Sequence, residues 1–324
     1  MAERNSRDAI ILSKAESTYG TDSSPDASTD AMLVSNFSVT PINASNVDRD
    51  LLRGYLGASE QLVGDRFLSA NYTVEAVGSG TAGTAPAYAS QLLACGMAET
   101  LTSTTRADYT LVSGSFGSNT NYYHDSGVKH AGTGTRGSFD LVMELGGRPV
   151  FNFNMLSIYS APTAASQPSA TYTAFKVPQA VTNANTADII LGCTHSTSGA
   201  PALASGTTYP SKGLRVSIGN SVSHKPLLGG ESIAITQRAV TGSITLDLTA
   251  AQEVTLMGNV EAATLTSIGF VHGTVTGRKV LVFLPYCQLL NPQKVDEDGK
   301  RLISFDFRAV PSSGNDELRI VTSF

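Results

Sequence analysis

Hydrophobic and polar residues alternate with a period of two along several stretches of the chain. In its first half these stretches are residues 67–77, 138–145 and 151–155. Because successive side chains of a strand point to opposite faces, each stretch predicts a strand with one buried face. Gly146 and Gly147 lie between the last two stretches, which therefore predict a hairpin.

The second half of the chain shows the same order of patterns. Its strand-like stretches are residues 243–249, 280–284 and 303–309, with an Asp-Gly turn at 296–299 before the last. One helix is expected in each half, at residues 87–95 after Pro86 and at 249–257, which opens with a Thr249…Gln252 capping box. Each half thus predicts a strand, a helix and a closing hairpin, and we interpret this as a duplication.

Four segments follow from the changes in composition. We expect an N-terminal arm with the first strands (1–50), a first β domain (51–160), a linker with an inserted hairpin (161–212) and a second β domain (213–324). The linker is rich in Ala, Ser, Thr, Pro and Gly, and its candidate strands are residues 172–177 and 188–191. A structureless connection of this length would be unusual inside a compact domain.

Composition and charge exclude several classes of protein. Hydrophobic residues make up 41% of the 324 residues, enough for a core, and only 15% are charged. The net charge of −5 disfavours tight binding of nucleic acid. The longest apolar run, residues 280–290, is about half of the ~20 residues that a membrane-spanning helix needs. The first eight residues contain no apolar signal core, so we expect no secretion by that route.

No constellation of residues predicts a catalytic or metal site. Cys95, Cys193 and Cys287 are far apart and form no CxxC pair, so we expect reduced thiols and no zinc. His124 and His130 flank a turn and could face each other across a hairpin, but two ligands alone do not make a metal site. We therefore predict no enzyme activity, no cofactor and no metal.

One motif keeps an enzymatic alternative open. Gly78, Gly80 and Gly83 form a GxGxxG pattern between a predicted strand and a predicted helix, as in dinucleotide-binding turns. The preceding strand has a fully polar face, and no apolar strand ending in an acid follows, which argues against such a site. A second alternative is a β-rich binding module, for which the aromatic pair at residues 122 and 123 is the sole indication.

The polar faces of the alternating strands carry mainly carboxylates. These residues are Glu75, Asp140, Glu144, Asp247 and Asp306. The same faces carry a single cation, Arg308. Such a face would repel a polyanion, a property that matters only if the sheets line a channel.

Several short motifs, taken in order, resemble the major tail (tail tube) proteins of bacteriophages with long non-contractile tails. They are Ala-Glu-Ser-Thr-Tyr-Gly-Thr at 15–21, Val-Asp-Arg-Asp-Leu-Leu-Arg-Gly-Tyr-Leu-Gly-Ala-Ser at 47–59, the glycine-rich run 78–88, residues 92–96, and 121–137 with Arg136-Gly137. Residues 305–311 and 315–318 resemble the closing strands of the same family.

This resemblance implies a mainly β fold, a tail-tube-type β-sandwich or partial barrel with one flanking helix in each domain. It implies subunits that join their sheets into rings, and rings that stack into a tube through which DNA is ejected. A duplicated chain favours three-membered rings with pseudo-sixfold symmetry over six-membered ones. The expected partners are the chain itself, the tape measure, distal tail and terminator proteins at the tube ends, and DNA that passes without specific binding. The expected location is the virion, after synthesis in the bacterial cytoplasm, with no membrane partner.

Overall fold

The computed structural model describes residues 4–5 and 7–324. Residues 1–3 and 6, which belong to the expected N-terminal arm and to the segment considered for an export signal, lie outside the described residues. The first half contains β1 (Ala9–Ala15), β2 (Ala31–Met32), β3 (Ser35–Val47), β4 (Leu62–Glu75), helix α1 (Ala89–Ala94), β5 (Met97–Thr102), β6 (Arg106–Leu111), β7 (Asn119–Asp125), β8 (Val128–Glu144) and β9 (Val150–Tyr159).

The rest of the chain adds five short strands and then a second set of long ones. They are β10 (Thr163–Ala164), β11 (Ile189–Leu191), β12 (Thr194–His195), β13 (Leu203–Ala204), β14 (Thr207–Tyr209), β15 (Ser211–Ser217), β16 (Asn220–Leu227), β17 (Gly230–Arg238), β18 (Thr241–Leu246), helix α2 (Ala250–Glu261), β19 (Leu265–His272), β20 (Val280–Glu297), β21 (Lys300–Ala309) and β22 (Arg319–Thr322). The chain is therefore mainly β, as the alternation predicts.

One antiparallel sheet runs through both halves of the chain, and we call it the joined sheet. Its strands lie side by side in the order β3, β4, β9, β8, β15, β18, β21, β20. The first four strands form a first unit and the last four a second unit. In each unit, the second strand along the chain lies beside the first, the fourth beside the second, and the third beside the fourth. The same arrangement therefore occurs twice.

Strands β8 and β20 are long because each takes part in two sets of pairings. Residues 128–135 of β8 pair with β7, whereas its C-terminal end pairs with β15. Residues 280–288 of β20 pair with β19, and its C-terminal end pairs with β21. The N-terminal part of β20 also pairs with β22, β22 pairs with β6, and β6 pairs with β5. Both strands thus connect the joined sheet to the strands that cover it.

Alternation along the joined sheet places its apolar face in the core. Tyr72, Phe139 and Phe153 are buried, and Tyr88 beside α1 packs on Phe151 with ring centroids 5.0 Å apart. The β20–β21 hairpin closes at Asp298 and Gly299, with φ of 49° and 84°, the left-handed pair that a two-residue turn requires. Among the described residues, no helix has the length and apolar character needed to cross a membrane.

Two local predictions differ from the structure. Helix α2 continues past Met257 and Gly258 to Glu261. Residues 172–177 form no strand, because the backbone turns there and the N–H of Phe175 donates to the Tyr172 carbonyl at 3.0 Å. The predicted strand near 188–191 is β11, and β12 pairs with β13 in a small hairpin within the linker region.

Candidate assembly surfaces

The polar face of the joined sheet is continuous across both units. One row of cross-strand partners crosses six strands: Thr73, Asn152, Asp140, Ser217, Thr241 and Arg308. Partners in a row share a face, and residues two apart along a strand share it too. Glu75, Glu144 and Asp306 lie two or four residues from members of this row, and Asp247 directly follows β18 in the same phase. All five predicted carboxylates therefore lie on one face of one sheet.

Neighbouring elements supply cations to this face. Arg148 lies 3.3 Å from Glu75, Arg215 lies 3.3 Å from Asp140, and Lys300 contacts Asp247 at 2.5 Å. Arg148, Arg215 and Lys300 lie outside the alternating stretches that carry the five carboxylates, so the sequence pattern did not indicate them. The face is consequently less acidic than the sequence pattern indicates. Within residues 4–5 and 7–324, Glu144 and Asp306 form no ion pair, and Asp306 accepts a hydrogen bond from Asn291 at 3.1 Å.

The glycine-rich run at 78–83 is a packed backbone junction. The N–H of Gly80 donates to the Gly277 carbonyl at 2.9 Å, and the N–H of Gly83 donates to the Ser323 carbonyl at 2.9 Å. A Cβ added at Gly83 would lie 2.4 Å from the Thr102 carbonyl oxygen. The amides that would hold a pyrophosphate are therefore already used, and helix α1 begins only at Ala89. All strand pairings of the described residues are antiparallel, unlike a doubly wound sheet, so the dinucleotide-binding alternative is not supported.

The thiols and imidazoles show the chemistry of packed side chains. All three cysteines are free and buried, and burial raises the pKa of Cys95, Cys193 and Cys287. His195 stacks on Phe283 at 5.5 Å, and burial, together with the nearby charge of Arg319, lowers its pKa to about 4.

The expected facing pair of histidines does not form. His124 is the cross-strand partner of Lys129 and His130 that of Tyr123, which places the two rings on opposite faces. In the part of the chain that the structure describes, no group of three or more potential ligands could hold a metal ion.

The β16–β17 hairpin lies against the first unit. Asn220 donates from its amide to the carbonyl oxygens of Gly137 and Cys95, at 3.0 and 2.6 Å. The backbone carbonyl of Ile233 accepts from Arg136 at 3.0 Å, and its N–H donates to the Tyr19 hydroxyl at 2.6 Å. The guanidinium of Arg136 also stacks over the Tyr19 ring at 4.4 Å. These contacts and the complete burial of Ile233 anchor the hairpin on the body of the same chain.

The corresponding connection of the first unit, between β3 and β4, is exposed. We call residues 48–61 the arm, a name that from here on does not refer to the N-terminal segment 1–50. Its base is held by polar contacts, Arg53 to Glu60 at 3.5 Å and Gln61 to Asp48 at 2.6 Å. Large apolar side chains on and beside it are exposed: Ile42, Val47, Leu51, Leu52, Tyr55, Leu56, Leu62 and Val63. An apolar run of this size on a surface is typical of an interaction site.

The joined sheet also ends in two free edges. Strand β3 pairs with β4 on one side, and residues 289–297 of β20 pair with β21 on one side; the described residues contain no second partner for either. Unpaired N–H and C=O groups on a sheet edge are a template for another strand. The sheet therefore has one open edge in each unit.

Comparison with known proteins gives one family. A family model described as phage tail tube protein matches residues 6–309, which includes both units and the connection between them. No curated protein matches significantly. Together with the β-rich fold, the match over most of the chain shows that this chain belongs to the phage tail tube protein family.

Proposed function

We propose that this protein is the structural subunit of a bacteriophage tail tube, and that it assembles into closed rings stacked around a channel through which DNA is ejected. Membership of the tail tube family already makes it a structural protein of the virion. The ring, its symmetry and the channel are the further steps proposed here.

The observation that carries the proposal is the joint between the two units. Strand β8 of the first unit pairs with β15 of the second, so that one unit continues into the next within a single sheet. The same strand order on both sides supports a duplicated tube domain. Because both ends of the sheet stay open, copies of the chain can continue the series and close it into a ring. Three copies would then give six units, with pseudo-sixfold symmetry.

The polar face of the joined sheet is the surface we assign to the channel. Glu75, Asp140 and Asp247 are paired with cations there, whereas Glu144 and Asp306 form no ion pair among the described residues. The five carboxylates are nearly balanced by Arg148, Arg215, Lys300 and Arg308, so this lining of amides, hydroxyls and paired charges offers DNA no net positive charge to bind.

The partners follow from the same assignment. We propose that the chain binds itself within and between rings, and that tape measure, distal tail and terminator proteins meet the tube at its inside and its ends. We further propose that the chain is made in the bacterial cytoplasm and assembled into the virion, and that its role includes no catalytic step.

Electron microscopy of the purified full-length chain at high concentration tests the ring. We expect stacked rings or tubes whose end-on views average with threefold symmetry and six similar units. Rings with strict sixfold symmetry and six chains would overturn the trimer. A monodisperse monomer at all concentrations, also in the presence of the distal tail and tape measure proteins, would contradict the proposal as a whole.

Phage particles that carry Glu144→Lys test the channel. We expect slower DNA ejection that recovers at higher salt, because a ring of added cations would hold phosphates. Glu144→Gln controls for the lost carboxylate, and Glu261→Lys on helix α2 controls for an added cation elsewhere. Ejection that is unchanged in assembled Glu144→Lys phage would remove this face from the channel.

A further inference from the structure

The pairing of β8 with β15 inside the chain predicts the register in which the open edges of β3 and β20 would pair between two copies. We match Glu144 at the end of β8 with Glu297 at the end of β20, which also aligns Thr135 and Gln288, where each strand stops pairing with β7 or β19. Cross-strand partners carry this match through each unit, so that β3 and β15 correspond through Val39 and Val216, and β4 and β18 through Thr73 and Thr245. This match also aligns Glu75 with Asp247. The open edge of β3 therefore presents residues equivalent to those with which β15 pairs with β8.

The last strands of the two units match in the same way. Phe153 faces Tyr72, and its equivalent Phe305 faces Ile244. Asn152 pairs with Asp140 in the first unit, and the equivalent Ser304 pairs with Gln293 in the second. Gln293 on the open edge of β20 thus corresponds to Asp140, which in β8 faces Ser217 of β15. The residue of β3 that corresponds to Ser217 is Thr40.

From this correspondence we propose that the open edge of β20 in one copy pairs antiparallel with β3 of a second copy, with Gln293 opposite Thr40 and Val295 opposite Ser38. The inference rests on the proposed function, because it names the contact that would close the ring. All four residues are exposed in the single chain, as an interface between copies requires.

The same correspondence predicts where the arm lies in the assembly. It connects the first two strands of its unit, as the β16–β17 hairpin connects the first two strands of the other. Asn43 lies three residues after Thr40, and Asn220 lies three residues after Ser217. Asn220 anchors its hairpin on the Gly137 carbonyl, and the residue of β20 that corresponds to Gly137 is Leu289. Asn43 therefore reaches the Leu289 carbonyl of the second copy.

The occupant of this surface is a second copy of the chain, because the hairpin already shows this kind of contact within one chain. In the hairpin, seating on the neighbouring unit buries Ile233 completely. In the arm, the neighbouring unit belongs to another copy, and the large apolar side chains stay exposed until that copy arrives. Leu51, Leu52 and Leu56 then pack across β20 and β21 of the second copy.

Cysteine pairs in the full-length chain test the register. Thr40→Cys with Gln293→Cys places two thiols in facing positions of neighbouring copies, and Asp140→Cys with Ser217→Cys is the matched pair within one chain. Facing strand residues are close enough for a disulfide, whereas positions two residues out of register are not. Thr40→Cys with Val295→Cys is therefore the out-of-register control. The three native cysteines are buried, so they give a low background.

Oxidation of assembled protein is expected to shift most of the Thr40→Cys/Gln293→Cys chains to covalent dimers and trimers on a non-reducing gel. The Asp140→Cys/Ser217→Cys control should stay at the monomer position with its thiols consumed, and the out-of-register pair should stay reduced. Tubes that form without the expected bridge, or that bridge in the out-of-register pair, would overturn the register and leave the tail tube function intact. Failure of the unmodified chain to form rings would count against the function itself.

Discussion

The β16–β17 hairpin and the arm occupy the same place in the strand order, yet their surroundings are opposite. The hairpin lies on the first unit, with Arg136, Tyr19 and Asn220 fixing it and Ile233 buried. The arm is held by polar contacts among Asp48, Arg53, Glu60 and Gln61 and exposes Leu52 and Leu56 fully. The connection that has a unit of the same chain beside it is packed, whereas the connection at the open edge is exposed.

Ile233→Ala should lower the free energy of unfolding of the isolated subunit the most. The substitution removes a fully buried branched side chain from the hairpin, and large-to-small changes of this kind cost about 2–5 kcal/mol of folding free energy. Denaturant unfolding of the isolated subunit measures the loss. Ile42→Ala, on an exposed apolar residue of β3, is the matched control and should change stability by less than about 0.5 kcal/mol. Similar losses for both variants would contradict the contrast.

Asn220→Ala should have the next largest effect. It leaves the buried carbonyl oxygens of Gly137 and Cys95 without their donor, which costs about 1–3 kcal/mol. Asn43→Ala is its equivalent in the first unit. Among the described residues, the Asn43 amide donates to the Ser69 hydroxyl at 3.0 Å and to the Thr40 carbonyl at 3.5 Å, both near the surface.

We expect a small change in the melting temperature for Asn43→Ala and a clear loss of ring formation in sedimentation. An Asn43→Ala chain that assembles like the unmodified one would show that Asn43 does not have the anchoring role of Asn220, and would weaken the correspondence between the units.

Asp140→Asn tests the joint between the units by its ion pair. The pair with Arg215 is 3.3 Å long and partly exposed on both sides, so its loss should cost about 0.2–1 kcal/mol. Thermal unfolding at low and high salt measures it, and the difference from the unmodified chain should shrink as salt rises. A difference that grows with salt would show that Asp140 stabilises the joint by another route.

Leu52→Ser combined with Leu56→Ser should have the smallest effect on the subunit. Both side chains are already exposed, so the unfolding free energy should change by less than about 0.5 kcal/mol. Assembly should nevertheless fail, because the arm loses the apolar surface that the second copy would cover. Leu228→Ser, at the exposed tip of the hairpin, is the control for lost surface apolarity. Normal tubes from the double variant would show that the arm is not an assembly surface.

The sequence predicted those elements whose signal is local. Alternation gave the long strands around Tyr72, Phe153 and Phe305, because a half-buried strand must alternate wherever it lies. The capping box at Thr249 gave the start of helix α2, where the side chain of Gln252 reaches back to the Thr249 backbone. The tail tube resemblance, confirmed by the family match, gave the class of protein.

Long-range pairing was beyond the sequence pattern. The joint of β8 with β15 brings Asp140 and Ser217 together across a wide separation in the chain, and Arg215 reaches the polar face only through it. The correspondence of Phe153 with Phe305 also needed the strand ends and cross-strand partners of both units. Residues 172–177 have strand-like composition, but a turn formed by the Phe175 N–H takes them out of any ladder.

The β8–β15 joint has a consequence for the kinetics of assembly. Since the two units are covalently connected, one of every two joints in the proposed ring is already made within the chain when it folds, at the high effective concentration of linked units. A ring of three chains forms by two encounters and one closure, where six single units would need five encounters and one closure. Fewer encounters mean less translational and rotational freedom lost at each turn of the tube. Ring formation by this chain should therefore persist at dilutions where rings of single units would fall apart.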